Sequence, residues 1–152
     1  MSPAAPAAAL VWPIWDFTEP RAMCCFCGLF SEKIKRVIGK VVDGAPHETI
    51  LVLDASIGQN SLSQARLFND MLDVDGLVMN PAGFTYRGEA LRDCILDCEG
   101  LPYIEVHISN LAKRDIKSVL ASAADGMLMG FGIQSYLLAL DAMLDLLQKR
   151  NG

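Results

Sequence analysis

The stretch that decides the fold class is Thr49–Leu53, which reads TILVL and is followed at once by Asp54. A run this short, apolar throughout and rich in leucine and β-branched residues, is typical of a strand that is buried on both of its faces. Similar short runs recur at Gly76–Met79, Tyr103–Ile108 and Gly126–Met129. Strands of this kind belong to parallel sheets that helices cover on both sides.

Amphipathic stretches separate these runs, as a series of βα units requires. Helices are expected at Ser61–Leu72, Gly88–Glu99 and Gln134–Lys149, where apolar residues recur at helical spacing. An earlier helix at Ser31–Val42 and a poorer strand at Ala8–Trp12 complete five strands and about five helices. The alternation predicts an α/β fold, namely a flavodoxin-like, doubly wound parallel sheet in three α/β/α layers.

The 152 residues are enough for one domain with a core of its own. We expect residues 31–152 to form a single flavodoxin-like domain. Residues 1–30 are expected to be a poorly defined leader that contributes at most one edge strand. Pro13 in this leader suits the edge of a sheet better than its centre, because proline cannot donate a ladder hydrogen bond.

Composition argues against several classes of partner. The formal net charge is −5 and no run of lysine and arginine occurs, so nucleic acid is not expected as a partner. No stretch of about 18 apolar residues is present, so no membrane-spanning helix is expected. The five cysteines are best explained as free thiols in a reducing compartment, which predicts a cytoplasmic protein. The charged fraction is only 20%, which favours an oligomer with buried faces.

The cysteines also raise the question of a metal site. Cys24, Cys25 and Cys27 include a Cys-x-x-Cys pair, and Cys94 and Cys98 stand four residues apart on a predicted helix. A zinc or redox site would require the two sets to meet in the fold. Buried or idle thiols are the simpler interpretation, so no metal is expected.

Polar residues follow the ends of the predicted strands. Asp54, Asn80 and the segment around His107 all stand at carboxyl ends, where open parallel sheets bind their ligands. Glu105 and Ser109 share the face of His107, because side chains alternate along a strand. These residues mark a candidate pocket, and a buried core histidine is the plainer alternative for His107.

Five motifs follow one another in the half of the chain from Asp75 to Leu147. They are, in order, NPAGFTY at Asn80–Tyr86, ALRD at Ala90–Asp93, IEVHISN at Ile104–Asn110, GFG at Gly130–Gly132 and YLLAL at Tyr136–Leu140. By these motifs, this half of the chain resembles the type II dehydroquinase family. Their spacing fits that family, except that the stretch between Asn110 and Asp125 is about three residues short.

The resemblance implies a reaction. The family removes water from 3-dehydroquinate to give 3-dehydroshikimate, by elimination through an enolate, in the shikimate pathway. The chain would then be a hydro-lyase acting on a small cyclic hydroxy acid without a cofactor. Elimination of this kind needs a base, fixed donors for the enolate oxygen, and an acid for the departing hydroxyl.

The resemblance also implies roles for individual residues. His107 matches the general acid, a task that suits imidazole because its pKa lies near neutral pH, and Glu105 matches the carboxylate that supports it. Asp93 matches an aspartate that reaches the site of a neighbouring subunit, so a homo-oligomer is expected. The positions that match substrate-binding residues are Asn80, Tyr86, Ile108, Ser109 and Arg114.

Two of these positions depart from the family pattern. Tyr86 stands where the family has a histidine, and Arg114, with Lys117 nearby, lies in the shortened stretch where the carboxylate-binding arginine belongs. The family's catalytic base is a tyrosine after its first strand, whereas no tyrosine occurs between Val11 and Phe30. A base contributes about 10²–10⁴-fold to such a reaction, so weak or no activity is expected.

The motif Asp54-x-x-x-Gly58-Gln59-Asn60 lies within a second stretch of interest, Val37–Asn69. This stretch is similar to part of the GTPase domain of the signal-recognition-particle receptor. The chain contains no GxxxxGK[ST] loop to bind phosphates, so nucleotide hydrolysis is not expected. The two resemblances join near Asp73–Gly76, which indicates a chimera. The alternative to a dehydroquinase-like function is therefore a non-catalytic chimeric or designed α/β scaffold.

Overall fold

The structure, a computed structural model, describes residues 33–55 and 74–150 and the backbone of residues 9–13 and 151. The helix expected at Ser61–Leu72 lies outside the described residues, as do Cys24, Cys25 and Cys27. The expected division into a leader of 30 residues and one domain stays a prediction.

Parallel strands and flanking helices make up the described part of the chain. One five-stranded sheet contains β1 (Ala9–Pro13), β2 (Glu48–Asp54), β3 (Gly76–Asn80), β4 (Tyr103–His107) and β5 (Gly126–Met129). The helices are α1 (residues 33–41), α2 (Phe84–Arg87), α3 (Glu89–Asp97) and α4 (Gln134–Asn151), and single 3₁₀ turns lie at Ala112–Arg114 and Leu120–Ala123. The expected strand and helix positions within the described ranges are confirmed to within two residues at most ends, and α2 is an addition.

The strands lie in the order in which they occur in the chain, and β1 forms one edge. It pairs with β2 from Ala9 opposite Glu48 to Pro13 opposite Val52. In flavodoxin the order is 2-1-3-4-5, with the first strand inside the sheet. Here β2 therefore occupies the place beside β3.

Two apolar layers cover the sheet, one on each face. On one face Leu51, Leu77 and Tyr103 pack against α3 and the Leu120–Ala123 turn. On the other face Ile50 and Val78 belong to the layer that packs against α4. Neighbouring residues such as Ile50 and Leu51 point to opposite layers because strand side chains alternate. The uninterrupted apolar runs in the sequence are explained by this double burial, which confirms the expected three-layer α/β arrangement.

Two aspartates tie neighbouring strands together at their amino ends. Asp75 precedes β3, and its Oδ2 accepts the backbone N–H of Thr49 at 2.6 Å, while its own N–H donates to the Thr49 carbonyl. Asp125 precedes β5 and forms the same two bonds with Tyr103, at 2.8 Å each. Each aspartate fixes the alignment of a strand pair, so the opposite ends of the strands reach the site in a defined register.

None of the helices in the described ranges combines the length and the apolar character needed to cross a bilayer.

Candidate active site

A cavity of about 300 Å³ opens beyond the carboxyl ends of β3 and β4. Its walls come from the loop and short helix after β3 and from the loop after β4. The lining residues are Asn80, Ala82, Gly83, Thr85, Tyr86, His107, Ile108, Ser109, Leu111 and Arg114. The structure thus brings six of the eight sequence-predicted residues into one pocket. The other four lining residues were not foreseen, because no sequence pattern marks them as a pocket wall; they are Ala82, Gly83, Thr85 and Leu111.

His107 and Glu105 form the most deeply buried polar pair of the site. Strand alternation on β4 points both side chains to the same face, and His107 Nε2 lies 2.6 Å from Glu105 Oε1. The two side chains are 5% and 0% exposed. Glu105 therefore lies behind His107 and does not line the cavity. Because Nε2 is engaged by the carboxylate, Nδ1 is the ring nitrogen available to exchange a proton with a ligand.

Two side-chain oxygens, one of them in this pair, are buried without a hydrogen-bond partner among the described residues. They are Glu105 Oε2 and Tyr103 Oη. Burial, and secondly the charge of Glu105, raise the pKa of Tyr103, so its phenol stays protonated. Tyr103 belongs to the core layer that includes Leu77 and has no access to the pocket.

Asn80 is held by a tight turn at the end of β3. Its Oδ1 accepts the N–H of Ala82 at 3.1 Å, and Ala82 adopts a left-handed φ of 47°. The Ala82 carbonyl accepts the hydroxyl of Thr85 at 2.7 Å, which anchors the start of α2. Asparagine favours such local bonds with its own backbone. The turn presents the Asn80 amide at the pocket and sets Tyr86, which is 55% exposed, at the rim.

Asp54 and Tyr136 meet beside Asn80. Tyr136 Oη donates to Asp54 Oδ2 at 3.1 Å, and Asn80 Nδ2 reaches the same oxygen at 3.5 Å. Burial raises the pKa of Tyr136 to about 12; the hydrogen bond with Asn80 lowers it in part and the Asp54 carboxylate raises it. The sequence marks Asp54 as a strand-end residue, but Tyr136 was assigned no role. Its position in the first turn of α4, just after β5, is the signal that could have found it.

The raised pKa of Tyr136 predicts a loss of stability in alkaline solution. Between the ordinary pKa of 10 and about 12 the unfolded chain is deprotonated while the folded chain keeps its proton. This contribution is fully present below pH 10 and is lost as the pH rises through 12. Tyr136 is only half-buried, so solvent screening limits the effect to about 1 kcal/mol. Urea unfolding between pH 9 and 11.5 should show a steeper loss for the wild type than for Tyr136→Phe; identical slopes would contradict the expectation.

The loop after β4 supplies groups that suit a carboxylate. Arg114 Nη1 donates to Ser109 Oγ at 3.4 Å, and both side chains reach the cavity. Hydrogen bonds from the segment after β5 secure the backbone. Gly132 N–H in the loop donates to the Ile108 carbonyl, and Ser135 Oγ in the first turn of α4 donates to the His107 carbonyl. Arginine presents a planar set of donors that matches a carboxylate in two parallel bonds.

Asp93 lies apart from this pocket. It stands on α3, bonded to Arg92 at 2.7 Å, and its side chain is 62% exposed. The family role expected for it concerns a neighbouring subunit, and that role stays a prediction. Among the described ranges no group of three or more histidine, cysteine, aspartate or glutamate side chains could hold a metal.

Comparison with known proteins assigns the chain to a family. The family profile for class II dehydroquinases matches residues 60–144, which is more than half of the sequence. The chain belongs to the class II dehydroquinase family. The dehydroquinase match begins at residue 60, ahead of Asp75, where the resemblance in the sequence was expected to begin.

Curated relatives agree with this family. The chain is 44% identical over 82 residues to the 3-dehydroquinate dehydratase of Carboxydothermus hydrogenoformans, a match that covers 52% of this chain and 53% of that protein. It is 41% identical over 81 residues to the 3-dehydroquinate dehydratase of Lachnospira eligens, covering 51% and 55%. The chain thus spans about half the length of the curated relatives it matches.

A solved dehydroquinase shares the fold. The type II dehydroquinase from Butyrivibrio crossotus superimposes with a TM-score of 0.53 at 24% identity, covering 76% of this chain and 78% of that one. Together with the parallel sheet, this confirms the flavodoxin-like α/β class of the dehydroquinase fold.

Proposed function

We propose that this chain is a dehydroquinase-like protein that binds 3-dehydroquinate, or a closely similar cyclic hydroxy acid, and dehydrates it slowly. The observation that carries the proposal is the buried His107–Glu105 pair, with His107 on the wall of a pocket that also contains Asn80 and Arg114. Support also comes from the curated relatives, which are named 3-dehydroquinate dehydratase.

The pocket carries the acid half of the reaction. Elimination of water requires that a proton reach the departing hydroxyl as its bond to carbon breaks. His107 presents Nδ1 for this transfer while the Glu105 carboxylate stabilises the imidazolium from behind, as a buried acid does for histidine in other enzymes. Arg114 and Ser109 bind the substrate carboxylate, and Asn80 binds a ring oxygen.

The pocket lacks a well-placed base to remove the proton next to the ketone. The chain has three tyrosines. Tyr103 is buried in the core, Tyr136 bonds Asp54 with its pKa raised to about 12, and Tyr86 lies at the rim in a binding position. No tyrosine occurs in residues 11–30, where the family's base belongs. A missing base costs about 10²–10⁴-fold, so turnover is slow.

The test is a dehydration assay with 3-dehydroquinate at high protein concentration. Formation of the conjugated enone of 3-dehydroshikimate raises the ultraviolet absorbance. We expect a slow rise with wild-type protein and a rate at least about a hundredfold lower with His107→Ala, because the acid is lost. A wild-type rate equal to that of His107→Ala would refute the enzymatic proposal.

A matched control separates chemistry from folding. Lys149→Ala changes an exposed residue of α4 that bonds Asp145 far from the pocket, and it should keep the wild-type rate. If wild-type protein neither binds nor converts 3-dehydroquinate, the alternative of a non-catalytic chimeric scaffold is favoured. Gel filtration tests the expected homo-oligomer, which stays a prediction together with the cytoplasmic location and the chimeric origin.

A further inference from the structure

Asp54 and Tyr136 have no part in the proposed chemistry, yet they engage a residue that does. Asp54 Oδ2 receives the Tyr136 hydroxyl at 3.1 Å and the Asn80 amide nitrogen at 3.5 Å. The other end of that amide is fixed as well, because Asn80 Oδ1 accepts the Ala82 N–H at 3.1 Å. Both ends of the Asn80 side chain are therefore bonded within the protein.

We propose that Asp54 and Tyr136 are a positioning pair, which fixes the orientation of the Asn80 amide so that Nδ2, rather than Oδ1, faces an oxygen of the bound cyclic hydroxy acid. The identity of the ligand rests on the proposed function, whereas the positioning rests on the hydrogen bonds alone. Neither residue is required to touch the ligand.

The charge of Asp54 selects the orientation of the amide. An ionised carboxylate only accepts hydrogen bonds, so it favours Nδ2 of Asn80 as its neighbour. In a flipped amide, Oδ1 would face the Asp54 carboxylate, so two acceptors would repel each other. Nδ2 would face the Ala82 N–H, so two donors would do the same. The flipped form would also offer the ligand an acceptor instead of a donor. Tyr136 holds the carboxylate in place, because its own hydroxyl can donate to the same oxygen.

The pair joins distant parts of the chain. Asp54 ends β2, and Tyr136 lies in the first turn of α4, 82 residues later. Asn80 lies between them on β3, directly opposite Asp54 in the sheet register. The strand that precedes the dehydroquinase match at residue 60 thus contributes a group to the site.

The first test observes Asn80 directly by NMR. The chain has five asparagines, so asparagine labelled with ¹⁵N at Nδ2 gives five side-chain pairs of signals, and the pair missing in Asn80→Ser belongs to Asn80. Tyr136→Phe and Asp54→Ala should each shift this pair and speed its exchange with water about tenfold, the effect of losing one hydrogen bond. An Asn80 pair that is unchanged in both variants would overturn the proposal.

Tyr103→Phe is the matched control. It also removes one tyrosine hydroxyl, but a buried one that has no hydrogen-bond partner among the described residues. The Asn80 signals should stay where they are. A shift as large as that of Tyr136→Phe would mean that any loss of a phenol disturbs the sheet edge, and the positioning role would be overturned.

The second test measures binding of 3-dehydroquinate by titration. Each single variant should bind 3-dehydroquinate about tenfold more weakly than wild type. The double variant, which combines Tyr136→Phe with Asp54→Ala, should also bind it only about tenfold more weakly, because the pair acts as one unit. A hundredfold loss in the double variant would show independent effects and overturn the pair. Wild-type protein that fails to bind 3-dehydroquinate would refute the proposed function only, and the Asn80 signals then decide the positioning. If Asp54→Ala fails to fold, the Asn80 signals of Tyr136→Phe and of its control Tyr103→Phe decide whether the positioning role holds.

Discussion

Glu105→Ala is expected to lower the free energy of unfolding by about 3 kcal/mol. The variant removes a fully buried carboxylate, leaves His107 without its partner at 2.6 Å and opens a cavity in the sheet layer. Loss of one partner of a buried pair usually costs 3–5 kcal/mol, and removal of the unpaired Oε2 offsets a part of this. Urea unfolding followed by circular dichroism gives the value as a shift of the midpoint at constant slope.

Two controls interpret this loss. Glu105→Gln keeps the volume and an acceptor for His107, so its cost should be about 1 kcal/mol. Asp145→Ala breaks the ion pair with Lys149, whose partners are 62% and 70% exposed, and should change stability by less than about 0.5 kcal/mol. Equal losses for Glu105→Ala and Asp145→Ala would contradict the view that burial makes the His107–Glu105 pair important.

Gly88→Ala is the second change with a large expected effect, a loss of about 3 kcal/mol. Gly88 joins α2 to α3, and a methyl group there would overlap the backbone carbonyl of Phe84 and stand 2.5 Å from Leu120 Cδ1. A backbone atom cannot turn aside as a flexible side chain can, so the helices must separate. Because α2 carries Thr85 and Tyr86, binding of the pocket ligand should weaken together with stability.

Gly126→Ala is the matched control for Gly88→Ala. A methyl group at Gly126, the first residue of β5, meets nothing within 4 Å. This variant should remain within about 0.5 kcal/mol of wild type. Thermal unfolding of both proteins compares them directly, and a Gly88→Ala protein as stable as Gly126→Ala would show that the α2–α3 junction accommodates the methyl group.

Much of the fold can be predicted because each strand is short and apolar on both faces. The sequence alone identifies Thr49–Leu53 and Tyr103–Ile108 as strands, without knowledge of which strands are their neighbours. The alternation of Glu105, His107 and Ser109 indicates which residues share a face. Pro13 predicts that β1 lies at an edge of the sheet, but the pairing of β1 with β2 cannot be predicted in this way. Local composition does not record which strands become neighbours, and Pro13 indicates an edge without saying which one.

The site residues likewise include some that the sequence predicts and some that it does not. Asn80, His107 and Arg114 lie in segments that resemble a family or end a strand, so the sequence points to them. The contact between Asp54 and Tyr136 spans 82 residues and depends on how α4 crosses the sheet. Likewise, α2 arises from the bonds of Asn80 and Thr85 to Ala82, whose left-handed backbone no periodicity indicates.

The two aspartates at the amino ends of the strands have a consequence for accuracy of assembly. A parallel pair that slipped by a single residue would turn every side chain of the slipped strand to the opposite face. His107 and Glu105 would then enter the layer beneath α4, and Val106 would face the ligand. Asp125 bonds both the N–H and the carbonyl of Tyr103, and Asp75 does the same for Thr49, so a slipped pair would lose one carboxylate hydrogen bond and one backbone hydrogen bond at once. These aspartates thus keep the pocket residues on the correct face of the sheet, although they lie at its opposite end and do not contact the pocket.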